Sequence, residues 1–133
     1  MAQQEVRLAQ IRRLVPQICR QDTAADNGKG WAPENPTFGH CAVVALFVQK
    51  GFGGELLRKS LTGTLFESSG SHYYNALPNK EIVDLTQDQF KGWSGLQFLP
   101  FELRTREHLM SNPDTCKRYL LFTRRLNQAI HCD

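Results

Sequence analysis

The apolar positions of the first twenty residues fall three and four apart. Val6, Leu8, Ile11, Leu14, Val15 and Ile18 make one stripe, with arginines and glutamines opposite, which predicts a helix over residues 5–20. Pro16 has no amide hydrogen to give and should kink or end that helix. Residues 21–39 are polar, with three glycines and two prolines, and read as one long loop. Loops of that length within a domain are uncommon and often functional. At Cys41 the pattern changes: the eight residues from Cys41 to Val48 carry no polar side chain and stop at Gly51, Gly53 and Gly54. Periodicity alone does not separate a buried helix from a buried strand here, but two alanines and the glycine stop favour a helix. Short segments of strand character follow at 55–59, 62–67, 71–76 and 81–85, with a further strand over 96–103. A tight Pro78-Asn79 turn joins 71–76 to 81–85 as an antiparallel hairpin. Asn112-Pro113-Asp114 supplies the cap and first turn of a closing helix over 113–130. The order is α+β: a central buried helix starting at Cys41 on a small antiparallel sheet, flanked by N- and C-terminal helices.

Composition narrows this picture without redirecting it. A chain of 133 residues suits one domain, taken as residues 1–133, and 41% hydrophobic with 22% charged residues is ordinary for a globular protein. The formal charge of +3 comes from 16 basic and 13 acidic residues with no long block of one sign, so nucleic acid is not an expected partner. No apolar run approaches the ~18 residues that span a bilayer, and the first residues lack a secretory stretch. A cytoplasmic protein without membrane contact is the expectation. The four cysteines, at 19, 41, 116 and 132, form no CxxC pair and are expected as thiols. Cys19 and Cys116 sit among apolar residues and read as packing.

Cys41 reads differently. A thiol at a helix N-terminus feels the positive end of the macrodipole, which favours the reactive thiolate, and free N–H groups there can hold an oxyanion. Gly39 permits a tight turn and close approach of another backbone. His72 follows Cys41 by 31 residues and Asp84 follows His72 by 12, on the two arms of the hairpin. An aspartate beside the imidazole would fix its tautomer and stabilise the imidazolium that takes the thiol proton. A two-residue turn at 78–79 sets His72 opposite Leu85, so His72 and Asp84 meet only if a bulge or twist brings them to one face. Each residue also has a bland role: a small core thiol, a half-buried strand histidine, a cap on the turn at 84–86. Jointly, the order Cys, His, Asp on helix, strand and strand is the logic of the papain-like hydrolases and their transglutaminase-like branch.

Several stretches together carry a closer resemblance. Asn35-Pro36-Thr37-Phe38-Gly39-His40-Cys41-Ala42-Val43, Phe52-Gly53-Gly54-Glu55-Leu56-Leu57 and Ser71-His72-Tyr73-Tyr74-Asn75-Ala76-Leu77-Pro78 make the chain resemble the YunG-like proteins, and Val83-Asp84-Leu85-Thr86 with Gln89-Phe90 continues the match. The resemblance spans roughly residues 22–127. It implies a reduced papain-like (NlpC/transglutaminase-like) core with Cys41 as nucleophile, His72 as base and Asp84 as orienting acid. In that family the residue before the cysteine is often Gln, a place taken here by His40. The resemblance brings no substrate with it, and no cofactor is expected.

Asn35, His40, Trp31 and Tyr74 are the remaining candidates for oxyanion or substrate binding. Asn35 also suits a turn beside Pro36, and Trp31, like Trp93, suits core packing. Arg104 and Arg106 can hold an anionic group or pair with Glu102 and Glu107. A zinc site from His40, Cys41, His72 and Asp84 is disfavoured, because neighbours at a helix start do not both face one ion, and no metal is expected. The expected function is a cysteine hydrolase or acyltransferase acting on a small amide or peptide carbonyl. The alternative is a non-catalytic binding or inhibitory module, of the kind a phage or mobile element encodes, that keeps the fold and engages a protein partner.

Overall fold

The computed structural model describes residues 2–132. Helix α1 (Ala2–Ile18) buries Leu8, Ile11, Leu14 and Val15 of the predicted stripe, while Val6 at its start is exposed and Ile18 at its end is half-buried. Pro16 stands inside it, and the helix ends two residues later at Ile18, in keeping with the expected kink or stop. Helix α2 (Cys41–Phe52) is the central one, with all six residues from Val43 to Val48 buried. It ends at Gly53 and Gly54, both in the left-handed region. Gly54 is required there, because a Cβ would collide with the Ala76 carbonyl.

Strands β1 (Glu55–Ser60), β2 (Ser71–Ala76), β3 (Ile82–Val83) and β4 (Glu102–Arg104) form one antiparallel sheet in the order β3-β2-β1-β4. Helix α3 (Arg106–Met110) leads to α4 (Pro113–Cys132). Asn112 caps α4 as expected, its Oδ1 accepting from the Asp114 and Thr115 amides at 2.9 and 3.1 Å. The main core lies between α1, α2, α4 and the sheet, with Ile11, Val15, Leu46, Leu56, Phe122 and Leu126 almost wholly enclosed. A second, smaller cluster joins Leu61, Phe90 and Leu96 to Phe66 and Trp93.

One expected strand is absent and another is cut short. Residues 62–67 form turns and the start of a 3₁₀ turn: Gly63 is left-handed, and the Thr64 hydroxyl bonds the Leu61 carbonyl at 2.7 Å, offering the backbone a partner other than a sheet. Of 96–103, the first part belongs to a 3₁₀ turn (Ser94–Phe98), and only Glu102–Arg104 reaches the sheet.

The hairpin also differs from expectation, with a consequence for chemistry. The β2–β3 register pairs Asn75 with Val83 and Ala76 with Ile82. The Leu77 amide donates to the Glu81 carbonyl at 2.8 Å, so the connection has three residues, Pro78, Asn79 and Lys80, and not two. Lys80 is left-handed at φ 73°, the conformation that three-residue hairpin loops need at their last position. The extra residue moves the register by one. His72 now stands level with Thr86, and Asp84, two positions away, shares its face. The predicted bulge is not needed.

Candidate active site

Residues Cys41, His72 and Asp84 come together where the start of α2 meets the start of β2. The Cys41 thiol is partly exposed and points at the Ser71 carbonyl, 3.9 Å away. His72, next along β2, is completely buried. Its Nε2 donates to Asp84 Oδ2 at 2.7 Å. The other carboxylate oxygen, Oδ1, accepts from the Thr86 amide at 3.3 Å. Asp84 therefore both closes the turn after β3 and holds the imidazole, two roles the sequence presents as alternatives.

The ring of His72 is clamped on its faces and edge. Tyr74 stacks on it at 5.9 Å with planes 12° apart, and Phe90 meets it edge-on at 4.9 Å. With Nε2 committed to Asp84, Nδ1 is left, and it has no hydrogen-bond partner among the described residues. Burial alone would depress the His72 pKa. The Asp84 hydrogen bond and the nearby Cys41 sulfur outweigh it and raise the pKa to about 9. At neutral pH this imidazole holds a proton.

The sulfur opens onto a cleft of about 610 Å³. One wall is the 25–39 loop, through Ala25, Lys29 and Phe38; the other carries Ser69, Ser71 and Tyr73. The long loop is tied down along its length. The Ala25 amide bonds the Gly39 carbonyl at 2.9 Å, and a Cβ on Gly39 would press against the Ala25 nitrogen at 3.0 Å. This is the close backbone approach expected of Gly39.

Of the remaining candidates, none faces the sulfur freely. His40 is fully buried at the head of α2; its Nδ1–H donates to the Phe38 carbonyl at 2.9 Å, and its Nε2 meets the Thr23 hydroxyl at 2.7 Å. Burial drives its pKa down to about 4, so the ring is neutral, Nε2 accepts, and neither nitrogen is available to a substrate. Asn35 spends its amide on the Gln89 carbonyl at 3.0 Å. Trp31 donates to the Pro36 carbonyl at 2.8 Å and borders a different depression, beside Gln17 and Arg125. Tyr74 is buried against His72, with the Lys59 ammonium over its ring at 5.4 Å. Arg104 pairs with Glu102 at 3.4 Å, while Arg106 bonds the Leu46 carbonyl and the Tyr119 hydroxyl. Among the described residues no cluster of three or more His, Cys, Asp or Glu is placed to hold a metal ion.

One cleft residue escaped the sequence reading. Gln89, in the 3₁₀ turn Gln87–Phe90, borders the cleft beside Cys41 while its side chain is buried. Its Oε1 accepts from the Gly39 amide at 3.5 Å, and its Nε2 has no partner among the described residues. In the sequence nothing marks it beyond its place in the Gln89-Phe90 pair.

Comparison with known proteins gives the family. A model of the YunG protein family matches residues 7–131, nearly the whole chain. The chain belongs to the YunG family. It is 29% identical over 86 residues to the uncharacterized protein YunG of Bacillus subtilis (strain 168), a match covering 65% of this chain and 69% of that one. No solved structure matches. Among the described residues of this YunG-family chain, no helix is long and apolar enough to cross a membrane.

Proposed function

We propose that this YunG-family protein is a cysteine hydrolase or acyltransferase of papain-like type, acting on a small amide or peptide carbonyl. The observation that carries the reading is the buried His72, fixed by Asp84 on one nitrogen at 2.7 Å and left open on the other beside the Cys41 thiol. Such an imidazole is built to hold the proton a thiol gives up and return it to a leaving group. A thiolate at the start of α2 also gains from the helix dipole. A nucleophile heading the central helix, with the base on β2 and the acid just past the end of β3, supports the papain-like assignment of the core. A cleft of about 610 Å³ in a domain of 133 residues suits a small amide or a peptide end better than a long chain in extended form. Four free thiols fit a reducing compartment, and we place the protein in the cytoplasm.

The test is the rate of Cys41 alkylation by iodoacetamide as a function of pH, in the wild type and in His72→Ala. The expected result is a Cys41 that reacts at neutral pH about ten-fold or more faster than a free thiol, an advantage that the variant loses. A Cys41 no faster than a free thiol, unchanged in the variant, would leave the fold without the chemistry.

A further inference from the structure

We propose that the Gln89 side-chain amide, together with the open N–H groups at the start of α2, forms the oxyanion site for a carbonyl attacked by Cys41. This rests on the thiol reading above and adds a catalytic residue to it.

The first observation is the orphaned amide. Buried polar atoms are nearly always paired, because leaving one unpaired forfeits its hydration without replacement. Four side-chain atoms are buried without a partner among the described residues: Thr37 Oγ1, Thr123 Oγ1, His72 Nδ1 and Gln89 Nε2. Neither threonine borders the Cys41 cleft, whereas Gln89 does, and His72 lies directly behind the sulfur. One orphaned nitrogen belongs to the ring beside the sulfur and the other to a side chain bordering the cleft onto which the sulfur opens. One suits the proton of the thiol and the other suits a negative oxygen.

The second observation is that the amide is oriented in the donating sense. Only an oxygen can accept from the Gly39 N–H, so the 3.5 Å contact assigns Oε1 and leaves Nε2 as the free end. The main chain behind it is pinned as well. The Gln89 carbonyl accepts from Asn35 Nδ2 at 3.0 Å, and its amide bonds the Thr86 carbonyl at 3.1 Å. Thr86 in turn bonds Asp84. A single turn therefore carries the residue that orients the base and the one that meets the oxyanion. At the other side of the site, α2 begins without a side-chain cap, since both His40 nitrogens are engaged elsewhere. Its first N–H groups lack partners within the helix.

The chemistry balances with the groups present. The Cys41 thiolate gives its electron pair to the carbonyl carbon, and the C=O π pair moves onto oxygen. Gln89 Nε2–H and the α2 N–H groups donate to that alkoxide. Collapse restores the C=O bond and breaks the bond to the leaving amine, which takes the proton from the His72 imidazolium. Water then adds to the thioester, passing a proton to His72. A second collapse expels the thiolate and frees the acid.

Two probes of Cys41 separate this role from a structural one. p-Nitrophenyl acetate acylates the thiol through a tetrahedral oxyanion; iodoacetamide alkylates it with none. In Gln89→Ala, and in the volume-conserving Gln89→Met, the p-nitrophenolate burst should slow about 10²–10³-fold while alkylation stays within about twofold of wild type. An unchanged burst overturns the proposal. So does a parallel loss in both reactions, which would make Gln89 a positioning residue. A wild-type Cys41 that alkylates rapidly through His72 yet gives no burst also overturns it. Slow alkylation of the wild type itself is the separate failure of the thiol reading.

Discussion

Two histidines are buried to the same degree on either side of Cys41, and the structure treats them oppositely. His40 precedes the cysteine directly and His72 follows it by 31 residues; neither exposes any surface. The ring nitrogens of His40 meet neutral partners, a hydroxyl and a carbonyl, and burial, aided by the Arg118 charge, pushes its pKa down to about 4. His72 meets the same desolvation, but Asp84 and the Cys41 sulfur overcome it and lift the pKa to about 9. Burial by itself decides only that the ring must be satisfied. Whether the ring is a neutral strut or a charged imidazolium depends on its partners, a carboxylate at 2.7 Å first and the Cys41 sulfur after it. The strut holds the loop to the head of α2, and the charged ring stands beside the sulfur, where the proposed chemistry would use it.

The strongest way to break this contrast is Asp84→Asn, which keeps a hydrogen-bond acceptor and removes the charge. His72 then stands in the situation of His40. Its pKa should fall from about 9 to below the ordinary 6.5, followed by NMR titration of the ring. Cys41 alkylation at neutral pH should slow about 100-fold, within the range that positioned acid–base groups supply. A His72 pKa left near 9 would mean that Asp84 is not its cause.

The pH dependence of folding sharpens the same comparison. His72 is raised above its unfolded value of 6.5, so its contribution is complete below that pH and is lost as pH rises through about 9. His40 is depressed, so its contribution is present above 6.5 and is lost as pH falls through about 4. Each limb is on the order of 3 kcal/mol, and from these two groups stability should be highest near 6.5. Urea unfolding across that range should show the alkaline limb flattened in His72→Gln and the acid limb flattened in His40→Gln. An acid limb that persists in His40→Gln would assign it to other groups. At neutral pH, His40→Gln should cost about 1–3 kcal/mol by disturbing the Thr23 and Phe38 contacts, with alkylation of Cys41 hardly changed.

How legible each histidine was follows from how local its partners are. His72 and Asp84 belong to one hairpin 12 residues apart, so the sequence places them together although it misplaces the register. That error came from one residue: Pro78-Asn79 reads as a two-residue turn, and a lysine in the left-handed region is not something Lys80 advertises. Cys41 was legible because an unbroken apolar run and a pair of glycines mark a buried helix with a definite first residue. His40, by contrast, takes its role from Thr23, across a loop whose path depends on α4. The Arg118 guanidinium reaches from α4 to the Thr23 carbonyl at 3.2 Å. Gln89 is further still, 48 residues from the sulfur, and its place depends on Asn35 and Gly39. No local pattern encodes such contacts.

The smallest predicted effect tests the residue that gives His72 its carboxylate. Lys80 sits at φ 73°, where its side chain crowds the carbonyl, a conformation costing L-residues roughly 1–2 kcal/mol. The flanking contacts do not need that side chain: the Lys80 amide bonds the Leu77 carbonyl at 2.8 Å, and Asn79 Oδ1 accepts from the Glu81 amide at 2.9 Å. Lys80→Gly should therefore keep the three-residue loop and the register. After the extra entropy of an unfolded glycine is subtracted, the gain should be about 0.5–1 kcal/mol, read as a higher urea midpoint. His72 should keep its raised pKa and Cys41 its reactivity, because Asp84 stays on the same face. A gain in stability accompanied by loss of the raised pKa would mean that the left-handed lysine holds the register itself, and that the contrast between the two histidines depends on the loop as well as on the carboxylate.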